Sequence, residues 1–496
     1  MTRTTVSRFL LSRIRSFRIE PLCKSMIPLT PHLHPLVKDL LKQEDFLHSL
    51  ASSHAGPVHV LVPEIMDENI QAFRKVFAEF AVQPAIHFAH KCNQSSVFLK
   101  RAKHGGINVD VASLQELQAA LSVGFLGKAI SCTGPKNDAF LRLAIKSRCL
   151  ISVDSLEELH RVAEIAKQGS VEGVDVLLRI NDLAPAQRKL VLKPSRFGIS
   201  QHVLPQAYAL LREHPTLQLR GFHHHHDGYD AIAKAEFIDN MLKLTRQAYD
   251  EGFRPDVLDL GGSFRAPVLR QPSDWTSFVD RLCEQVRNGE EVPVWGTQPY
   301  GLHLDTSGQI IGREKVLSLA VSEHYGDFLR SLLSSKLASG RSVAQTIGDS
   351  LFTFMIEPGF ALVYNAGFSL LKVIEVKSSS GGQPLIVLDG NLFSLSTKMV
   401  DVIADPILIS RGTTEKRPLT AYLVGNLCRE DDFLMKRAVT FDRVPQPGDV
   451  LVFANTAAYA SDFEETSSIL QPKGKKVVCV KKQNGWHSLD EQEYLL

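Results

Sequence analysis

The chain has 496 residues, 44% of them hydrophobic and 22% charged, and a net charge of +2. This exceeds one ordinary domain, although an α/β barrel alone takes about 250 residues, so two domains are expected. No apolar run nears the roughly 18 residues that span a bilayer, and the dispersed charge leaves no footprint for nucleic acid; neither a membrane nor a nucleic-acid partner is expected.

Residues 1–25 hold Arg3, Arg8, Arg13, Arg15 and Arg18 among Ser and Thr, with Glu20 the one acid. That composition suits a mitochondrial transit peptide or an unstructured extension, with Met26 a second possible start; the protein is expected in the cytoplasm, with the mitochondrial matrix as the alternative. Residues 26–62, ending in the strand VHVLV, are assigned to completing a second, β-rich domain. From residue 85, eight short strands alternate with amphipathic helices: AIHFAH, GINVDVAS, KAISCTG, LISVDS, VDVLLRIN, LRGFHHHH, VLDLGGSF and FMIEPGF. Intervening stretches such as SLQELQAALSVG and SLEELHRVAEIAKQ place Leu and Ala at helical spacing behind a Ser cap. Eight such units predict a closed (β/α)8 barrel over 63–368, interrupted between strands seven and eight by a segment at about 268–345 that should lie over the barrel mouth. From 369 to 496 short strands follow without helices, predicting a mostly antiparallel β-domain.

The seven cysteines are widely spaced, with no CxxC pair, so neither a disulfide framework nor a zinc knuckle is expected. Active sites of such barrels lie at the C-terminal strand ends. Those ends carry Lys91, Arg179, the run His223–His226, Gly261-Gly262-Ser263 and Glu357-Pro358-Gly359, with Asp110 inside strand two. An amine at an apolar barrel mouth is suited to Schiff-base chemistry, and a glycine-rich strand-to-helix turn offers free N–H groups to a phosphate. Together they imply pyridoxal 5'-phosphate. No metal site is expected, since alternation lets only two of the four histidines face inward and no HExxH-like spacing completes a cage.

HFAHKCNQ, VDVASLQEL, SCTGPK, ISVDSLEEL, LLRIN, SRFGIS, GFHHHHDG, LDLGGSF, IEPGF, LDGN, GNLCREDD and NTAAY occur in an order that resembles the barrel-fold pyridoxal-phosphate decarboxylases of diaminopimelate, ornithine and arginine, over about residues 57–465. The resemblance implies a homodimer with shared active sites. It implies Lys91 as the Schiff-base lysine, His225 stacked on the cofactor ring, and Glu357 facing the pyridine nitrogen so that a quinonoid is stabilised. Cys428 would deliver the proton to Cα and Tyr459 would bond the phosphate. Asp110, Arg179, Gly261, Gly262, Ser263 and Gly359 complete the expected cofactor site. Barrel-fold racemases are expected to place a cation opposite the nitrogen, so Glu357 favours decarboxylation over racemisation; a silent binding role is favoured by Phe360 and Arg429 and opposed by Lys91, His225, Glu357 and Cys428 together.

Two departures stand out. The family's EPGR arginine, a phosphate contact, is Phe360 here; Ser263 and the imidazoles of strand six are the expected compensations. The acid that follows the family cysteine is Arg429, which suits a planar anion. Asp432 and Asp389 keep an amine-bearing substrate open, and Lys398 lies near the place of a missing arginine past LDGN. The substrate is therefore expected to be a basic, dicarboxylic or conjugated amino acid.

Overall fold

The computed structural model describes residues 26–185, 194–296, 299–350, 352–395, 402–412, 416–463 and 468–496. The targeting segment 1–25 and Lys398 lie outside them.

Eight parallel strands close a barrel in the expected order: Pro84–Ala89, Asn108–Val111, Ile130–Cys132, Leu150–Val153, Val174–Arg179, Leu217–His223, Val257–Asp259 and Thr353–Ile356, the last pairing back on the first through Ile356 and Ile86. The helices start where their caps predict. Ser113 and Ser155 accept from the N–H groups of Glu116 and Glu158 at 3.1 and 3.0 Å. Those glutamates reach back to the N–H groups of Ala112 and Asp154, so that each turn is stapled from both sides. The helix Ile65–Glu79 precedes the first strand and fills the eighth helical place, with Phe77 against Phe354.

The second domain is a nine-stranded, mostly antiparallel sheet. Two of its pairings are parallel, 58–61 with 475–478 and 385–387 with 422–424. Val58–Leu61 is a central strand, paired with both Gly367–Ser378 and Lys475–Lys482. Residues 26–57 add no strand to this sheet but pack on it, Asp39 meeting Lys481 and Trp486 and Ser52 meeting Arg411. Thr30 and His32 bond Arg270 and Val268, and two short helices, Pro35–Leu40 and Glu44–Ser52, bury Val37, Leu40, Leu47 and Leu50.

The long connection between strands seven and eight divides in two. Its first part, with the helix Ser273–Asn288, builds a small core from Trp275, Phe278, Leu282 and Leu302, and brings Leu319–Val321 to the barrel mouth. Its second part, the helix Tyr325–Ser334, is not a cover; it packs against the helices Ile65–Glu79 and Ala231–Asp250 as the barrel's seventh outer helix. Amphipathicity dictates that: Phe328, Leu329, Leu332 and Leu333 are buried along one stripe.

Candidate active site

At the mouth, a cavity of about 610 Å³ adjoins a second of about 820 Å³; both are lined by Lys91, Phe197, His225, Asp227 and Glu357. Lys91 stands in the single turn His90–Cys92 that follows strand one. That turn is pinned across the domain boundary: Asn93 Nδ2 donates to Ala457 O at 2.6 Å, and Tyr459 N–H to Cys92 O at 2.7 Å. The same bonds carry Tyr459 from the β-domain into the cavity, where burial pushes its phenol up.

The sixth strand ends at His223, and its alternation holds: His224 turns to the outer helix, bonding Ile180 O and packing on Phe237, while His225 faces inward. His225 Nε2 donates to Asp227 at 2.8 Å and its Nδ1 accepts from Gly262 N–H at 3.1 Å, which sets the neutral tautomer. Burial lowers His225 and His224 to about 4 and holds His223 well below its ordinary value. The imidazoles are therefore uncharged at neutral pH, and the expectation that they replace the positive charge missing at Phe360 is not met. Gly261 and Gly262 lie against the His225 ring, where added Cβ atoms would come within 2.7 and 3.2 Å of it. Gly359 is equally confined, with the Tyr459 hydroxyl 3.2 Å from its missing Cβ.

At the barrel axis, His223, Asp259 and Glu357 each offer an atom within 4.8 Å of the others. His223 Nδ1 is held by Ser152, Asp259 accepts from Gly261 N–H, and His223 Nε2, Asp259 Oδ2 and Glu357 Oε1 are buried with no hydrogen-bonding donor or acceptor assigned to them among the described residues. Burial first, and mutual repulsion after it, raise both carboxyls well above the carboxylate range. Arg179, beside Asp154 at 3.7 Å and stacked on Phe197 at 4.6 Å, borders this end. Glu357, which lines the cavity, offers its carboxyl to a ring N–H donor, whereas a metal would find three ligands of which two are carboxyls that burial disposes to keep their protons.

Other expected residues lie elsewhere. Asp110 is buried beneath the floor, accepting from Ser131 and Thr133 at 3.1 and 2.9 Å, and Thr133 lines the cavity. Cys428 is exposed, and Arg429 and Asp432 line a different groove with Trp295 and Phe433. Asp432 is a structural group, since its carboxylate accepts from Leu392 and Leu427 N–H at 2.8 Å each. Arg429 is folded onto Asp431, and Asp389 pairs with Lys372 at 3.1 Å. None of Cys428, Arg429, Asp432 and Asp389 lines the Lys91 cavities of its own chain. The sequence reading missed Asp227, Asp259, Arg265 and Lys234. Lys234 is wholly buried beneath the glycine turn, donating to Gly262 O at 2.6 Å and His226 O at 3.1 Å, and burial lowers it to about 7.

Lysine, glycine turn and buried glutamate at a barrel mouth define a pyridoxal-phosphate enzyme of the carboxy-lyase class. Residues 65–292 match the family described as "Pyridoxal-dependent decarboxylase, pyridoxal binding domain". An uncharacterized protein of Sinorhizobium fredii, y4yA, is 28% identical over 92% of this chain and 95% of its own length. A diaminopimelate decarboxylase of Staphylococcus aureus is 24% identical over 88% of this chain and 94% of its own. Among solved structures, diaminopimelate decarboxylase from M. jannaschii in co-complex with L-lysine has a TM-score of 0.65 at 19% identity, covering 89% of this chain and 91% of that one. The chain is similar to the barrel-fold pyridoxal-phosphate-dependent decarboxylases, as a divergent relative, and is an amino-acid decarboxylase.

Proposed function

We propose that the chain decarboxylates a basic, dicarboxylic or conjugated amino acid through Lys91, Glu357 and the Cys428 of a second copy of itself. Glu357, a buried carboxyl in the wall of the cavity that Lys91 lines, carries this reading. When bound, pyridoxal phosphate supplies an electron sink for the pair left as CO₂ departs. Lys91 would hold it through its amine, and Ser263 and Tyr459 would meet its phosphate. Glu357 would keep a proton at the cofactor's ring nitrogen, with the raised carboxyl of Asp259 beside it. His225 is neutral and doubly bonded, so it presents a fixed flat face without donating charge. Phe197, Phe264, Phe360 and Leu319 exclude water from this space.

Cys428 needs a second copy because its own chain holds it outside the cavity, exposed on the β-domain. The Arg429–Asp431 pair travels with it, so that a second copy would present a guanidinium and carboxylates together to the substrate's far end. This supports a conjugated or dicarboxylic substrate as readily as a basic one.

The test is CO₂ release from a panel of amino acids by full-length protein supplied with cofactor. Lys91→Ala should abolish both release and the borohydride-sensitive visible absorbance. Glu357→Gln should keep the absorbance and lose about 10²–10³-fold in rate, the usual cost of one preorganised electrostatic group. Racemisation without CO₂ release would overturn the proposal.

A further inference from the structure

We propose that Arg265 is the charged partner of the cofactor phosphate, taking over the work of the arginine that Phe360 replaces. The inference rests on pyridoxal phosphate being the cofactor.

A phosphate ester carries close to two negative charges at neutral pH and is held by cations and free N–H groups. In the cavity that contains Ser263, Gly359 and Tyr459, the lining cations are Lys91 and Arg265. Lys91 is committed to the cofactor's carbonyl end. Arg179 and Arg196 line the adjoining cavity, and both lie over the Phe197 ring. That leaves Arg265 at the glycine-turn end. Among the described residues it forms no ion pair, and its guanidinium makes one long bond, Nη1 to Ser318 O at 3.3 Å.

The backbone beneath it is arranged for an anion. Gly261 N–H is taken by Asp259 and Gly262 N–H by His225. The next three, those of Ser263, Phe264 and Arg265, have no intramolecular acceptor among the described residues. Lys234 holds Gly262 O from behind, and Tyr229 donates its hydroxyl to Arg265 O at 3.2 Å while its ring stacks on Phe328 at 4.1 Å. The turn is thus fixed by side chains on its far side. Ser318 belongs to the long connection between strands seven and eight, so this insertion, whose Leu319–Val321 line the same cavity, also positions the arginine.

The experiment compares binding of pyridoxal phosphate and of unphosphorylated pyridoxal to cofactor-stripped full-length protein, followed by absorbance. If Arg265 meets the phosphate, Arg265→Gln weakens pyridoxal phosphate about ten- to a hundredfold, the worth of one charge-assisted hydrogen bond, and leaves pyridoxal unchanged. Arg265→Lys should recover part of the preference, because charge remains without the planar fork. An unchanged preference, equal losses for both ligands, or an effect confined to the KM for the amino acid would each overturn the role of Arg265. Wild-type protein that binds neither ligand would instead overturn the cofactor reading itself, and the proposal with it.

Discussion

At the scale of single residues, the site is governed by what stands too close to allow anything larger. A Cβ on Gly359 would meet Cys92 Cβ at 3.0 Å, the Tyr459 hydroxyl at 3.2 Å and Ala89 Cβ at 3.3 Å. Ala89 and Cys92 flank the lysine turn and have no room to retreat, so Tyr459 must give. Gly359→Ala should therefore cost about 1–3 kcal/mol in thermal or denaturant unfolding through overpacking, and weaken cofactor binding as well. Unaltered cofactor affinity in a destabilised variant would show that Tyr459 is not a phosphate ligand. Strand-end logic made Lys91, His225 and Glu357 legible in the sequence, because it fixes which residues reach the mouth. Asp110, which pairs in register with Ala89 two residues before Lys91, sits one layer deeper, where Glu357 and Lys91 still act on its charge.

Among the elements, the helix Ala231–Asp250 does more than close the barrel. Phe237, Ile238 and Met241 form its buried stripe, and Lys234 stands one turn earlier on that stripe. A lysine in an apolar stripe was a visible signal of a buried amine, but the partners Gly262 O and His226 O come from other segments and could not be read from spacing. The same limit applies to the connection between strands seven and eight, whose length marked it as unusual without revealing that Tyr325–Ser334 is a barrel helix. Burial lowers Lys234 from 10.5 to about 7, so between those values the unfolded chain binds more protons than the folded one. Stability from this group is greatest at high pH and falls as pH drops from 10.5 to about 7. In Lys234→Met the titrating group is gone. The stability of wild type relative to the variant should then rise with pH across that window, by at most about 1.4 kcal/mol per pH unit, in urea unfolding. A pH-independent difference would mean that the ammonium keeps its proton on two carbonyls despite burial. At any pH the variant leaves Gly262 O unpaired and should bind the cofactor more weakly.

For the whole molecule, the question is why a motif so plain in the sequence as GNLCREDD lies away from the lysine it was expected to serve. The β-domain holds Cys428 exposed, while Tyr459, from the same domain, reaches the cavity of its own chain. On the proposed reading, one chain supplies the cofactor's surroundings but not the proton donor, and a symmetric pair would exchange the missing part in both directions. This makes a quantitative expectation. Lys91→Ala and Cys428→Ala homodimers should each be impaired, since one lacks the amine and the other the thiol in both sites. On unfolding and refolding an equal mixture, half of the dimers should contain one subunit of each kind. In every such mixed dimer one site combines the intact lysine with the intact cysteine, while the other site has neither. Activity should recover to about a quarter of the wild-type value per total protein, and dilution below the dimer's dissociation constant should remove it. Recovery that fails to exceed the sum of the separate variants, in a mixture shown by sedimentation to be dimeric, would place the proton donor within the chain that carries the lysine. The neutral His225 or the buried thiol of Cys92, beside Lys91 in the same turn, would then be the group to examine.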